Sequence, residues 1–425
     1  MNNGNATKNT NLRMIIFVSQ KQGKQLYPLS VNRPPALFLV AGKSLLEWDL
    51  LRAKEYGITD IGLLVSPKDK AQVTNHLAKL VPPLNESSES KDSYGSFRIF
   101  DYNPEKGISV ELEEQLLRFI SRYSVWIDGN TIFSKKFFDT FMAKTEGTDK
   151  LGLIRQKSED KKEIKGLGYF SSEKLARNIH EAKSVIDIST TIRSRIASFF
   201  NRLILEEEME FWELTQIWHL LDANQVLIKT VELKNKGIIE DGATIIGNVS
   251  IGEGSRIRAG SYLEGPLSIG KHCDIGPNCY LRKGTSLGDH VRIGNGCELK
   301  NTIVFDHTHI AHLSYVGDSV IGERCNFGAG TITGNLRLDD QTVKAKVGKE
   351  VVLTGRRKIG VIMGDNVKTA INVFFMPGVI VGNNSAIGSS VVLQRNLESN
   401  QFVYLKQQLE KTSWNPPPKK QKKKK

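Results

Sequence analysis

The sequence predicts an α/β head followed by a parallel β-helix of hexapeptide repeats. Three observations carry that prediction. Residues 12 to about 205 alternate strand-like and helix-like stretches. Aliphatic residues then recur at every sixth position: Ile239, Ile245, Ile251, Ile257, Leu263, Ile269, Ile275, Leu281, Leu287, Ile293 and Leu299. A second run keeps that spacing with Met363, Thr369, Phe375, Val381, Ile387 and Leu393. Neither an α-helix nor an alternating strand has a six-residue period. Triangular coils of a β-helix do, because each hexad supplies one short strand and one corner. Three hexads close a coil, so residues eighteen apart stack on neighbouring coils at about 4.8 Å.

The elements follow in order. Arg13–Val18 reads as a strand, Ser44–Tyr56 as a helix carrying Leu45, Leu46, Trp48, Leu50 and Leu51, and Asp60–Val65 as a second strand. Ala71–Leu80 reads as a helix, and Pro82–Ser96 as a Ser/Glu-rich loop. Phe97–Phe100 and Ser124–Ile127 are further strands. Alternation of this kind argues for a mostly parallel, layered sheet. Thr190–Leu205 has helical spacing through Ile192, Ile196, Phe199, Phe200 and Leu203, and residues 206–235 connect the two architectures. The β-helix begins near Gly237, loses phase after Leu299, resumes at Ile321, Phe327 and Thr333, and is interrupted by a charged excursion over 334–360. Loops that interrupt a rigid solenoid are where sites are built. The expected division is a head at 12–225, a β-helix at 236–405, and an arm with a Lys-rich tail at 406–425.

At 425 residues the chain has room for two or three domains. Its 39% hydrophobic and 25% charged residues describe a soluble globular protein. No apolar run approaches the ~20 residues that span a bilayer. Met1–Asn11 lacks the apolar core of a signal peptide, so a cytoplasmic location is expected. The net charge of +13 falls to +7 once the six lysines of the tail are set aside. Such a tail reads as a solvated segment rather than a specific nucleic-acid or membrane anchor. Cys273, Cys279, Cys297 and Cys325 each precede an interior position by two residues, at a corner otherwise filled by small residues. They read as apolar packing; Cys279 and Cys297, eighteen apart, would stack closely enough for a disulfide to be conceivable. No His/Cys spacing suggests a metal there.

Arg282 and Lys300 are also eighteen apart, so they project from one face on adjacent coils. Stacked cations repel unless solvent or an anion lies between them. The pair reads either as two solvated charges or as a phosphate clamp. His312 lies just past the phase break and is a candidate general base, since imidazole titrates near neutrality. Glu298, on the strand of Lys300, is a candidate orienting or acidifying group.

The segments His312-Leu-Ser-Tyr-Val-Gly-Asp318 and Cys325-Asn-Phe-Gly-Ala-Gly-Thr-Ile-Thr333 carry a resemblance. They are similar to the acetyltransferase half of the bifunctional N-acetylglucosamine-1-phosphate uridyltransferase/glucosamine-1-phosphate acetyltransferase family. The archaeal sugar-1-phosphate nucleotidylyltransferase/acetyltransferases are closer still, and the resemblance covers nearly the whole chain. It implies a left-handed β-helix, an exception to the usual crossover hand, in homotrimers with sites between subunits. It implies His312 as the base that takes a proton from the sugar amine as that amine attacks acetyl-CoA. Arg282 and Lys300 would hold the sugar phosphate, and Tyr315 and Asn326 the sugar. Ala329, Asn335, Ser389 and Lys406 align with acetyl-CoA contacts. Lys406 stands in place of an Arg, keeping the charge but losing the planar fork. After Asn335 the chain reads Leu-Arg-Leu-Asp where bacterial members carry Tyr-Asp-Gly. An oxyanion donor is expected from the backbone of Gly328–Thr331.

The family's head opens on a Gly-rich loop that cradles a triphosphate. Here the loop is Ser19-Gln-Lys-Gln-Gly-Lys-Gln-Leu-Tyr-Pro28, with Gly23 alone of the glycines. Gln25 replaces the family's Arg, and Pro35 its Lys; Lys21 and Lys24 partly compensate the charge. Lys106-Gly-Ile-Ser109 lacks the second glycine of the family's Gly-Thr-Gly segment. Asp128 and Glu213 match a magnesium-binding pair. The expectation is an N-acetyltransferase acting on glucosamine-1-phosphate or galactosamine-1-phosphate, with a degenerate nucleotidyltransferase head. The alternatives are a bifunctional enzyme that still transfers a nucleotide, and a non-catalytic scaffold or regulatory subunit.

Overall fold

The structure, a computed structural model, describes residues 12–19, 24–80, 95–103, 106–145, 151–155, 164–181, 202–206 and 210–416. The Pro82–Ser96 loop expected from sequence falls almost wholly outside these residues, as do Lys21, Gly23 and the Lys tail.

Apolar strands stack side by side in the head as a seven-stranded sheet. Its order is Arg202–Glu206, Leu151–Arg155, Ile164–Ser171, Tyr123–Asp128, Leu12–Phe17, Asp60–Val65 and Ser96–Asp101. Ile164–Ser171 runs antiparallel to both neighbours, so the sheet is mixed rather than uniformly parallel. Helices Leu45–Glu55, Pro67–Leu80, Val110–Phe119 and Lys135–Thr145 lie between the strands in sequence. Ser44 and Ser109 start two of these helices, each accepting a backbone N–H three residues on.

Two expectations for the head need correction. Arg202–Glu206 is an edge strand paired with Leu151–Arg155, so the helix expected to reach Leu205 does not include Leu203. A short apolar run fits either period, and here sheet pairing decides it; 190–201 lie outside the described residues. The stretch 206–235 is more than a connector. Phe211–Glu213 pairs antiparallel with Thr131–Phe133, and His219–Leu227 forms a helix with Leu220, Leu221 and Leu227 fully buried.

From Ile238 the chain winds as a left-handed β-helix with three parallel faces of short strands. The first face starts at Ile238–Ile239, the second at Thr244–Ile246 and the third at Val249–Ile251. The hexad aliphatics fill the prism interior from Ile251 to Leu299, continuing through Val304, Ile310, Val316, Ile321 and Phe327. Ile239 is 38% exposed and Ile245 only partly covered, because no earlier coil lies beneath them.

Registry explains the phase break. Leu281 pairs with Leu299, but Leu299 pairs with Val316, one residue short of the regular step. The loss is at the corner between the second and third faces. Lys300 leads to Ile303 with one residue fewer than Arg282 uses to reach Ser286. The next coil keeps the shortened corner from Gly317 to Val320. The 334–360 excursion returns as an antiparallel hairpin, Lys344–Val347 with Glu350–Leu353.

All four cysteines are free and buried in the stem core, so Cys279 and Cys297 are not bridged. The Cys273 and Cys325 thiols lie 3.1 Å from the carbonyls of Gly288 and Gly364. Burial pushes Cys273 and Cys325 up to about 12 and Cys279 to about 11.

Head and stem share one apolar cluster. The outward residues of the third face, Ser286, Ile303, Val320, Ile362 and Ile380, are buried, and its aliphatics pack with Leu29, Phe38, Trp218, Leu221 and Leu227 of the head. Polar contacts frame the cluster. Tyr27 Oη meets Ser399 Oγ at 2.9 Å, and Asn383 Nδ2 donates to the Pro28 carbonyl at 3.0 Å. Arg33 pairs with Asp365 at 2.7 Å and Glu323 at 3.2 Å while lying over the Phe305 ring.

Truncating one interior rung should expose how stiff this prism is. Leu281→Ala is expected to cost about 2–5 kcal/mol, as buried Leu→Ala changes do. Chemical denaturation followed by circular dichroism measures it; a loss under about 1 kcal/mol would contradict a close-packed stem.

Candidate active site

The second face carries two outward columns. One runs Tyr280, Glu298, Tyr315 and Ile332; the other, two residues along, runs Arg282, Lys300 and Gly317. Arg282 and Lys300 are direct partners on neighbouring coils, as their spacing predicts. They are not bare cations. Arg282 donates to Glu298 Oε1 at 2.8 Å and lies over the Tyr280 ring. That bond to Glu298 raises the guanidinium's already high pKa. Glu298 thus serves Arg282, and no bond joins it to His312 among the described residues. Tyr280 in turn donates to Glu264 at 2.8 Å.

Lys300 reaches Asp318 Oδ2 at 3.4 Å. Asp318 is 4% exposed and sits at the shortened corner with φ of 49°. Asn301 Nδ2 donates to its Oδ1 at 2.7 Å, and Asn335 Nδ2 to its Oδ2 at 2.6 Å. Asn335 also donates to Tyr315 Oη at 3.2 Å. Burial first, then the Asp318 charge, raises the Tyr315 phenol above its ordinary range. Asp318, absent from the sequence expectations, is therefore the hub that joins Lys300, Asn335 and Tyr315. Its place after a glycine at a phase-shifted corner was the available signal.

His312 ends the strand His309–His312 on the first face, at the prism edge shared with the second face. Its side chain is exposed, and its carbonyl accepts from Ser314 Oγ and from the Gly330 N–H. Along that edge the ladder stacks Asn295, His312, Ala329, Ile371 and Ser389 on successive coils. Two of the expected acetyl-CoA positions thus share one line with the imidazole. Ile371, 54% exposed on that line, was missed because it follows the long excursion. Tyr404 packs against Gly388, which brings the extended arm bearing exposed Lys406 to the top of the same edge. Asn326 pairs with His309 on the first face, around the corner from Tyr315. One chain therefore gathers Arg282, Lys300, Glu298, Tyr315 and Asn335 on one face, with His312, Ala329 and Ser389 along its edge. It does not bring Asn326 to that face. In the Gly328–Thr331 segment, the Gly328 N–H bonds Thr369 and the Gly330 N–H bonds the His312 carbonyl.

The head's expected metal pair is already engaged. Asp128 is 1% exposed, and its Oδ1 accepts from the Trp126 indole at 2.9 Å. Glu213 pairs with Thr131, whose hydroxyl bonds the Asp128 carbonyl. Asp128 and Glu213 each make further interactions within the chain, and no group of three potential metal ligands occurs among the described residues. Pro35 is buried in a short turn, and Gln25 is exposed with its carbonyl accepting from Ile217.

An α/β head on a hexapeptide β-helix, with a stacked Arg282/Lys300 pair beside a histidine-bearing edge, is the architecture of a two-part transferase. Known proteins sharpen this. Residues 21–87 match the nucleotidyl transferase family model, and 263–374 match the GMPPB C-terminal domain model. The chain is 34% identical to Bifunctional protein GlmU of Methanocaldococcus jannaschii, over 93% of this chain and 98% of the relative. It is 36% identical to Bifunctional protein GlmU of Methanococcus maripaludis over the same shares. The bifunctional sugar-1-phosphate nucleotidylyltransferase/acetyltransferase of Sulfurisphaera tokodaii is 31% identical, over 89% of this chain and 97% of that one. The chain belongs to the bifunctional GlmU family. No helix among the described residues is long and apolar enough to cross a membrane.

If the Arg282/Lys300 face is an anion cradle, inorganic phosphate should stabilise the native state by mass action. Millimolar phosphate is expected to raise the melting temperature by about 2–4 °C for each kcal/mol of binding. The Arg282→Ala/Lys300→Ala double variant should lose that rise; an equal rise in the variant would place the anion elsewhere.

Proposed function

We propose that the protein transfers the acetyl group of acetyl-CoA to the amine of an amino-sugar-1-phosphate, either glucosamine-1-phosphate or galactosamine-1-phosphate. The observation that carries this reading is the in-register Arg282/Lys300 pair beside an edge led by His312. Membership in a family whose named relatives include acetyltransferases supports it.

In this reading Arg282 and Lys300 bind the sugar phosphate and so orient the amine. His312 accepts a proton from the attacking amine. The C–N bond forms, the thioester C–S bond breaks, and the CoA thiolate leaves and takes up a proton. Positioning and one base can supply most of what this chemistry needs. Ala329 and Ser389 line the path of the acyl donor, and Lys406 on the arm is placed for its phosphates. An oxyanion donor from the Gly328–Thr331 backbone comes from Ala329, since the Gly328 and Gly330 N–H groups are used and Thr331 is buried. Asn326 and the exposed His312 ring belong to a groove completed by a neighbouring copy in a cytoplasmic homotrimer.

Replacing His312 by Ala should lower kcat about 10²–10⁴-fold, the usual contribution of a general base, with little change in KM for the sugar phosphate. Release of free thiol, followed with a chromogenic disulfide, measures this. Undiminished turnover would remove His312 from the chemistry.

A second reading keeps nucleotidyl transfer, because the relatives are named bifunctional. Against it stand Gln25 in place of the family's Arg and the buried Pro35 in place of its Lys. With Mg²⁺, each nucleoside triphosphate and a sugar-1-phosphate, no pyrophosphate is expected above background; steady release would reinstate the bifunctional reading. A scaffold without catalysis would show no CoA binding by calorimetry.

A further inference from the structure

We propose that the head acts as a positioning part of the acceptor site, through two adjacent amides on its last helix and the buried carboxylate of Asp318. This rests on the acetyl-transfer reading and deepens it. The helix His219–Leu227 presents Asn224 and Gln225 to the stem. Asn224 is fully buried; its Oδ1 accepts from the Ala41 N–H at 2.8 Å, and its Nδ2 donates to the Gly284 carbonyl at 2.7 Å. Gln225 Nε2 donates to Asn301 Oδ1 at 3.2 Å. Gly284 lies two residues past Arg282, and Asn301 one past Lys300. Each cation of the cradle is therefore followed by a corner that the head holds.

Those corners, like others in the stem, turn through left-handed residues. Gly284, Asn301 and Asp318 stack on successive coils with φ of 81°, 48° and 49°. For Asn and Asp this left-handed conformation is sparsely populated and persists when the surroundings over-determine it. At Asn301 the surroundings include the head: its amide passes from Gln225 on one side to Asp318 on the other. Asp318 then holds Lys300, Asn335 and, through Asn335, Tyr315. A continuous hydrogen-bonded path of five side chains, Gln225, Asn301, Asp318, Asn335 and Tyr315, joins a helix of the head to the acceptor face. This gives the head a role that does not require nucleotide turnover.

A double-mutant cycle on the full chain tests the path. Gln225→Ala is expected to raise KM for glucosamine-1-phosphate about threefold, the scale of one neutral hydrogen bond. Asp318→Asn is expected to raise it about thirtyfold, the scale of a lost charge-assisted contact. kcat should stay within about twofold in both, and KM for acetyl-CoA within about twofold in the Gln225 variant. The double variant should resemble Asp318→Asn alone, because residues in one network are non-additive. Gln225→Leu, closer in shape, serves should the alanine variant unfold. Additive effects, or a Gln225 change that leaves the sugar-phosphate KM untouched, would overturn the path while leaving acetyl transfer standing. Wild-type protein that binds the sugar phosphate without acetylating it fails the activity reading alone, and calorimetric Kd values then read the same cycle. Wild-type protein that does neither removes the acceptor site and the path together.

Discussion

The parallel hydrogen-bond ladder is the constraint from which the rest of the molecule follows. Each coil satisfies its backbone groups on the coil below, so a residue's height and face are set by counting. Thus Arg282 and Lys300 become neighbours although a whole coil separates them. A one-residue deletion cannot be absorbed within a strand, because that would turn the interior aliphatics outward. It is absorbed at a corner, where Asn301 and Asp318 keep the left-handed conformation that Gly284 has on the full-length coil below.

A triangular prism has three faces, and the head covers one. The third face is outwardly aliphatic from Ile303 to Ile380, where an exposed solenoid would carry polar residues. Burying it fixes which two faces remain available and places the acceptor columns next to a head-supported edge. The head segment from Tyr27 to Arg33 takes part in the same contact. Arg33 lies between two stem carboxylates and over Phe305. Breaking a buried pair strands a charge, so this contact tolerates little change.

Much of this was legible in the sequence, for a reason specific to solenoids. A six-residue period maps one-to-one onto height and face, so the interior positions and the cation pair could be placed by arithmetic. The head offers no such map. Its short run Arg202–Leu205 fits a helix or a strand equally, and a distant partner, Leu151–Arg155, settles it. Ile371 lay hidden because the 334–360 excursion resets the count before the ladder resumes at Ile362. Asp318 was invisible as a hub because three of its partners, Lys300, Asn301 and Asn335, reach it only through the folded corner. The placement of Glu298 against Arg282 likewise depends on which of two adjacent coils its side chain leans toward.

The carboxylates beside the cradle raise the question of whether it is self-neutralised. Arg282 and Glu298 are each 37% exposed, and an ion pair of that kind is worth about 0–1 kcal/mol in water. A phosphate can draw the guanidinium away from Glu298 at small cost, and the fork leaves other N–H groups for it. Lys300 is held differently. Its distance of 3.4 Å to Asp318 is longer than the 2.7 and 2.6 Å amide contacts that already occupy that carboxylate. Asp318 is therefore satisfied without the ammonium, which is oriented by the charge yet left with most of its donors unspent. Carboxylates so placed relieve the repulsion between stacked cations while the site is empty. In the proposed reading they give way when the sugar phosphate binds.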